Sequence, residues 1–377
     1  MSRHGRVLVA MSGGVDSSVT AVLLQEQGYE VVGITMKTWD YATSVPRTPG
    51  KEVGCCSLES MNDARGIAVK YDFNHSVVDI RQEFGDWVIE RFTSEYLAGR
   101  TPNPCVLCNT HIKWAALLRR ADDLGCQYIA TGHYAEVYHH TELDRYVLRK
   151  GRDHNKDQSY ALWGLPQAHL ARSIFPLGVY TKPEIRQMAA DFGLHRVAAK
   201  PDSYEICFIP DNNYRRFLKD RVPELETQVQ NGVFQLSDGT PVGRHNGYPF
   251  YTIGQRHGLG LAMGYPVYVT HIDADTNVVT VGPREELMKQ RLVARQVNLI
   301  KYPDLREERL AVGKIRYKDA GGACLVQQTG DDELAVAFAE PRPAITPGQA
   351  VVLYEGDEVL AGAWIQEIEE PEVASAS

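Results

Sequence analysis

The chain has 377 residues, 44% of them hydrophobic, which is enough for two or three domains with filled cores. No run approaches the ~20 apolar residues of a membrane span. The opening Met1–Arg6 leads into a strand pattern without a secretory signal, so the expectation is a cytoplasmic protein with no membrane partner. The net charge of −8 argues weakly against nucleic acid, and seven unevenly spaced cysteines argue against a secreted disulfide framework and for reactive or metal-binding thiols.

Residues 6–135 alternate short apolar runs with helix-length segments. Arg6–Ala10 reads as a strand, Ser17–Gly28 as a helix and Glu30–Met36 as a second strand. A loop is expected over Asp40–Gly54, which contains Pro46, Pro49 and Gly50, followed by a helix at Leu58–Tyr71. Asn74–Ile80 reads as a strand, Phe84–Ala98 and Asn109–Leu124 as helices, and Tyr128–Thr131 as another strand. This alternation predicts an α/β domain with a doubly wound parallel sheet. Ligands of such sheets lie beyond the strands' carboxyl ends. The turn Ser12–Ser18, the pair Thr35-Met36 and the stretch Thr131–Tyr134 all fall there.

Tyr138–Arg149 suggests a hairpin, and Thr181-Lys182-Pro183-Glu184 starts a helix that ends near Gly193. Residues 208–285 are rich in turn residues, with Asp238-Gly239 as a hairpin signal. Six short β-type runs then follow at regular spacing: Ala294–Ile300, Leu310–Tyr317, Ala323–Gln328, Leu334–Ala339, Ala350–Tyr354 and Val359–Ile368. They predict a small closed β-barrel. The expected limits are a catalytic domain at 1–207, a central domain at 208–288, a barrel at 289–370 and a disordered acidic tail at 371–377.

The first strand feeds Ser12-Gly13-Gly14-Val15-Asp16-Ser17. Adjacent glycines let the backbone approach an anion, hydroxyls add donors, and a following helix offers its free N–H groups. That is a phosphate cradle. It lacks the Lys of the eight-residue nucleotide-binding loop and the third Gly of the dinucleotide fingerprint. Charge is also unevenly placed. Glu367, Glu369, Glu370 and Glu372 load the C-terminal end, whereas Arg145–Lys156 holds five basic residues against Asp153, a local surface suited to phosphates.

Several pieces together resemble one family, the tRNA-specific 2-thiouridylases of the MnmA type, within the wider PP-loop ATP pyrophosphatases. They are Met11–Ser18, Asn103-Pro104-Cys105-Val106-Leu107-Cys108-Asn109, Thr131–Tyr134, Lys156–Tyr160, Glu205–Ile209 and Tyr251–Arg256. The resemblance implies adenylation of a uridine C2 oxygen at the tRNA wobble position, pyrophosphate release, and replacement of that oxygen by sulfur. It implies ATP and Mg²⁺ as cofactors. Ser12, Gly13, Gly14 and Ser17 would cradle phosphate, Asp16 would hold the metal, and Ala10, Met11 and Val15 would complete the loop. Met36 and Gly132 would line the adenosine site.

By the same resemblance Cys207 carries a persulfide and Cys108 is the second catalytic cysteine. The sulfur would come from a persulfide donor or a sulfur-carrier protein. Cys108 precedes the expected helix Asn109–Leu124, which would favour its thiolate. Asn103, Pro104 and Cys105 would face the target uridine, and His133, Lys156, Asp157, Gln158, Arg316, Tyr317 and Gln349 would contact tRNA. One departure stands out: many members of the family have Asp where this chain has Cys105. Three thiolates, Cys105, Cys108 and Cys207, could instead hold a 4Fe-4S cluster that binds exogenous sulfide, with zinc a weaker option. Two other readings use the same loop: an adenylating ligase for a small metabolite, and a non-catalytic RNA- or metal-binding module.

Overall fold

The computed structural model describes residues 2–39, 57–202 and 206–369. The expected loop at Asp40–Gly54, Cys55, Cys56 and the acidic tail lie outside these residues. The chain divides into two units. The first comprises Met1–Val88, Cys105–Asn212 and Asp357–Val359, and the second Ile89–Pro104, Asn213–Gly356 and Leu360–Ser377.

The first unit is built on a parallel sheet. Its strands are β1 (Arg6–Ala10), β2 (Glu30–Lys37), β3 (Asn74–Asp79) and β4 (Tyr128–Ala130), with a hairpin of β5 (Ala135–His140) and β6 (Arg145–Lys150) before the short β7 (Ser173–Ile174). The sheet order is β3-β2-β1-β4-β7. Val7, Leu8 and Val9 of β1 are wholly buried, because helices cover both faces of a parallel sheet and its central strands must be apolar throughout. Helix α1 (Val15–Glu26) is buried along most of its circumference and packs on β1, β2 and the helix Lys182–Asp191. Helix α2 is Leu58–Lys70, with Ser57 as its N-cap. Strand order reverses between β1 and β4, so the crevice beyond their carboxyl ends is the switch point of the sheet.

Two helices differ from expectation. The segment expected as one helix from Phe84 to Ala98 is a short helix Arg81–Phe84, a π-helical turn Gly85–Ile89 and a helix Glu90–Leu97. The helix expected from Asn109 begins five residues earlier. Pro104–Leu107 is helical, Cys108–Lys113 is π-helical, and Trp114–Asp123 continues as α-helix. Proline fits the first helical position, where its missing N–H has no intrahelical partner. π turns concentrate at functional sites, and both lie near the cysteine motif in sequence.

The second unit holds a four-stranded sheet of β8 (Gly232–Gln235), β9 (Pro241–His245), β10 (Tyr268–Asp273) and β11 (Val278–Gly282), in the order β10-β11-β8-β9. The turn at Asp238-Gly239 joins β8 to β9, with Gly239 at φ +84. The barrel follows with β12 (Met288–Leu299), β13 (Arg309–Lys314), β14 (Gly322–Gly330), β15 (Glu333–Pro343), β16 (Ala350–Glu355) and β17 (Glu358–Glu369). Its order is β12-β15-β14-β13-β16-β17, and β12 also pairs with β17, which closes the ring. Leu292, Val326, Leu334, Leu353, Leu360 and Ile365 fill its interior. Each such side chain stabilises the fold by roughly 1.5–3 kcal/mol.

Candidate active site

The loop after β1 turns on Gly13, whose φ is +71 and whose added Cβ would sit 2.0 Å from the Ser60 carbonyl oxygen. Two independent constraints therefore demand glycine there. Gly14, in extended conformation, is the N-cap of α1 and supplies no side-chain cap. The first N–H groups of this long helix thus remain available to an anion. Ser17 Oγ accepts from the Ser12 backbone N–H at 3.1 Å and lies 3.2 Å from Ser12 Oγ, which fixes the turn. Gly132 comes close from β4: a Cβ there would be 2.9 Å from the Asp16 carbonyl carbon. Ala10, Met11 and Val15 are the packed frame of the loop, with Met11 and Val15 buried. Met36, near the carboxyl end of β2, is half-buried.

Asp16 is the hub of a charged network. Its Oδ1 accepts from Tyr134 Oη at 2.7 Å, and both carboxylate oxygens accept from Lys182 Nζ at 2.7 Å. Lys182 is only 7% exposed and also lies 3.1 Å from Asp202. Asp202 in turn pairs with Lys156 at 2.6 Å and Arg186 at 2.7 Å. Burial alone would raise the Asp202 pKa, but hydrogen bonds from Lys156 and Lys182 outweigh it and hold the carboxyl well below the usual carboxylate range. Burial, then the Asp16 charge, pushes the Tyr134 phenol up, so it stays a donor. On the other side of the loop, Lys200 donates to the Gly13 carbonyl at 3.2 Å and pairs with Asp63.

Lys182, Tyr134 and Asp202 were not among the expected site residues. A signal for Lys182 existed. It occupies the first position of its helix, where the macrodipole disfavours a cation, and such a lysine implies a specific carboxylate partner.

Mg²⁺ usually keeps several waters and binds through one or two carboxylates plus substrate phosphates. One partly exposed carboxylate, Asp16, beside an uncapped helix end fits that mode. An iron–sulfur cluster does not fit. Among the described residues no group of three or more His, Cys, Asp or Glu side chains is set to hold a metal, so Cys105, Cys108 and Cys207 are not assembled as a ligand set.

The structure also relocates the cysteines relative to the helix dipole. Cys108, 5% exposed, lies in the π turn past the first helical turn, so it does not gain a helix N-terminus as expected. Cys105 occupies that first turn and keeps an exposed surface. The protein crowding its thiol raises its pKa, and the Lys113 charge opposes this. Cys207 is half-buried in a turn, and the adjacent Phe208 is buried. Phe208 packs edge-on against Phe84 at 5.7 Å, and the helix Arg81–Phe84 lies against the Cys108–Lys113 turn. One short helix thus touches both cysteine-bearing segments.

Four expected RNA contacts of this unit are engaged by its own residues. Asp157 is buried and accepts from the Gly151 and Ser159 backbone N–H groups at 3.2 and 3.0 Å. Gln158 Oε1 accepts from the Tyr134 N–H at 3.0 Å, and the Gln158 N–H donates to the Tyr134 carbonyl at 2.8 Å. Together with Lys156 on Asp202 they brace the network around Asp16. His133 is 2.7 Å from Thr131 Oγ1 and packs beside Trp114 and Phe175. Burial, reinforced by Lys113, lowers its pKa to about 3, so the imidazole is neutral. In the second unit, Asn103 is half-buried and Pro104 buried. Arg316 and Tyr317 are exposed after β13, and Arg316 donates to the Pro343 carbonyl at 3.2 Å. Gln349 donates to the Thr101 and Pro102 carbonyls at 3.2 and 3.1 Å, holding the segment that leads into Asn103.

Residues 5–211 match the family described as "tRNA methyl transferase HUP domain". Residues 215–283 match "tRNA methyl transferase PRC-barrel domain", and residues 289–365 match "Aminomethyltransferase beta-barrel domain". The chain is 71% identical to the tRNA-specific 2-thiouridylase MnmA of Salinibacter ruber, over 98% of this chain and 96% of that one. It is 60% identical to the protein of the same name from Amoebophilus asiaticus, over 97% and 96%. For the protein of Carboxydothermus hydrogenoformans the identity is 49%, over 96% and 97%. With this identity across nearly its whole length, the chain belongs to the tRNA-specific 2-thiouridylase MnmA family.

Proposed function

We infer that this chain is an ATP-dependent tRNA sulfurtransferase that converts uridine at the wobble position to 2-thiouridine. The uracil oxygen is a poor leaving group. Its attack on the α phosphorus of ATP would release pyrophosphate and turn O2 into the oxygen of a leaving AMP. The uncapped end of α1 and the loop N–H groups would stabilise charge on the phosphates, aided by Lys182. Mg²⁺, held through Asp16, would supply further charge neutralisation there. Tyr134 and Lys182 orient Asp16, and Gln158 orients Tyr134.

Sulfur delivery follows from the two cysteines. The terminal sulfur of a Cys207 persulfide attacks C2 and AMP leaves, giving a Cys207–S–S–C2 link. The Cys108 thiolate then attacks Cys207 Sγ, and the electrons of the broken S–S bond stay with the sulfur on C2. The product is 2-thiouridine and a Cys108–Cys207 disulfide, which a cellular thiol reduces for the next turnover. The observation that carries this reading is the convergence of both cysteine-bearing segments on the helix Arg81–Phe84, in the unit that holds the phosphate loop. We keep domain limits of 1–207, 208–288 and 289–370.

The test supplies tRNA, ATP, Mg²⁺ and a persulfide donor and measures 2-thiouridine with pyrophosphate. Both should form in equal amounts. Protein that binds ATP and tRNA yet forms neither would refute the assignment.

A further inference from the structure

The π turn that carries Cys108 also carries a surface feature that the reaction above does not use. Of the five tryptophans, Trp87 alone is exposed, with 54% of its surface accessible. Its ring is not isolated. It stacks on the His111 imidazole with centroids 5.5 Å apart and planes inclined by only 19°. Trp87 comes from the π turn Gly85–Ile89 and His111 from the π turn Cys108–Lys113. The extra residue in each turn re-aims its side chains, and here two such turns face one another through these rings.

We propose that Trp87, backed by His111, is a stacking platform for an unpaired base next to the target uridine of the tRNA. The proposal rests on the tRNA-thiolating reading given above. A uridine that leaves its stack to reach a catalytic cysteine leaves a neighbouring base without a partner. Aromatic side chains are the usual replacement, because every base presents a π face. The position agrees. His111 lies three residues after Cys108, less than one turn along the same helical run. Lys113 follows on that turn, and its charge acts on both Cys105 and His133, which sets a cation beside the cysteine motif where a phosphate strand would pass. A parallel platform stacked on the turn that carries a cation and a reactive cysteine matches single-stranded RNA better than a protein partner.

The experiment measures the dissociation constant of an anticodon stem-loop RNA with the full chain, without ATP or sulfur donor. Trp87→Ala should weaken binding about 5- to 150-fold, the range for loss of one base–aromatic stack. Trp87→Phe should restore most of the affinity. Tryptophan fluorescence should be quenched by RNA in the wild type and much less in Trp87→Phe. ATP binding serves as the control for folding. Wild-type affinity in Trp87→Ala, or undiminished quenching in Trp87→Phe, would overturn the proposal. So would unchanged RNA affinity with slower persulfide loading from a protein donor, which would assign the platform to that protein. Failure of the cysteine relay would appear instead in Cys207→Ser, with the Trp87 effect on RNA affinity intact.

Discussion

The two units bury charge in different ways. In the barrel, Arg342 pairs with Asp319 and Lys301 with Glu355. In the first unit Lys182 is shared between Asp16 and Asp202, and Asp202 is shared among Lys182, Lys156 and Arg186. A one-to-one pair holds a fold together at best weakly, since desolvation offsets much of the attraction. A shared lysine can pass from carboxylate to phosphate without stranding its partner, because Asp16 keeps Tyr134 and Asp202 keeps Lys156 and Arg186. The contrast separates charges that stabilise a barrel from charges that prepare a site.

The largest effects should come from the cysteines. Cys108→Ser and Cys207→Ser should each reduce 2-thiouridine to background while ATP binding persists. Full activity in Cys207→Ser with a persulfide donor would exclude the relay. Cys105→Ser should leave iron content unchanged at zero and retain activity, and stoichiometric iron in the anaerobic wild type would reverse this.

Next come the buried charges. Lys182→Ala removes one partner from two carboxylates that each keep another, so in denaturant unfolding it should cost less than the ~3–5 kcal/mol of an uncompensated buried charge. It should also lower ATP affinity. Arg342→Ala should destabilise the barrel and leave ATP affinity unchanged. Equal effects of both on ATP would erase the distinction between the units.

A pH series gives an intermediate effect. His245 is buried among Phe234 and Tyr251 and accepts from the Gly247 N–H at 3.1 Å. Burial lowers its pKa to about 4, against an ordinary value of 6.5. The unfolded chain therefore takes up a proton below pH 6.5 that the folded chain refuses. The stability involved is fully present above pH 6.5 and is lost as pH falls toward 4, at about 1.4 kcal/mol per pH unit. His245→Gln should flatten that slope in unfolding midpoints measured between pH 6.5 and 4. The smallest change is Gln349→Ala, which deletes two hydrogen bonds to Thr101 and Pro102 and should cost about 1–2 kcal/mol, read by thermal unfolding.

Much of the first unit was legible because its signals are local. The apolar run of β1, the paired glycines and the small hydroxyl residues specify a strand, a turn and a helix between Arg6 and Glu26. The barrel was legible from six regularly spaced β runs, although its closure through β12 and β17 joins strands far apart in sequence. The charged network was not legible. Asp16, Lys182 and Asp202 are brought together only by the sheet and the helix Lys182–Asp191, and sequence separation hides such pairs. The Cys108 helix was expected from Asn109 but opens at Pro104, which fits the first helical position. Asp157 and Gln158 were expected as tRNA contacts beside a basic segment, yet their side chains serve backbone N–H groups that the sequence does not reveal as partners.

The most direct test of the central claim is a single turnover with labelled sulfur. Protein carrying a ³⁵S persulfide on Cys207 is mixed with tRNA, ATP and Mg²⁺ in the absence of reductant. The account predicts one labelled 2-thiouridine, one AMP and one Cys108–Cys207 disulfide per persulfide consumed. Label that reaches tRNA with no disulfide formed, or disulfide formed with no label in tRNA, would contradict it.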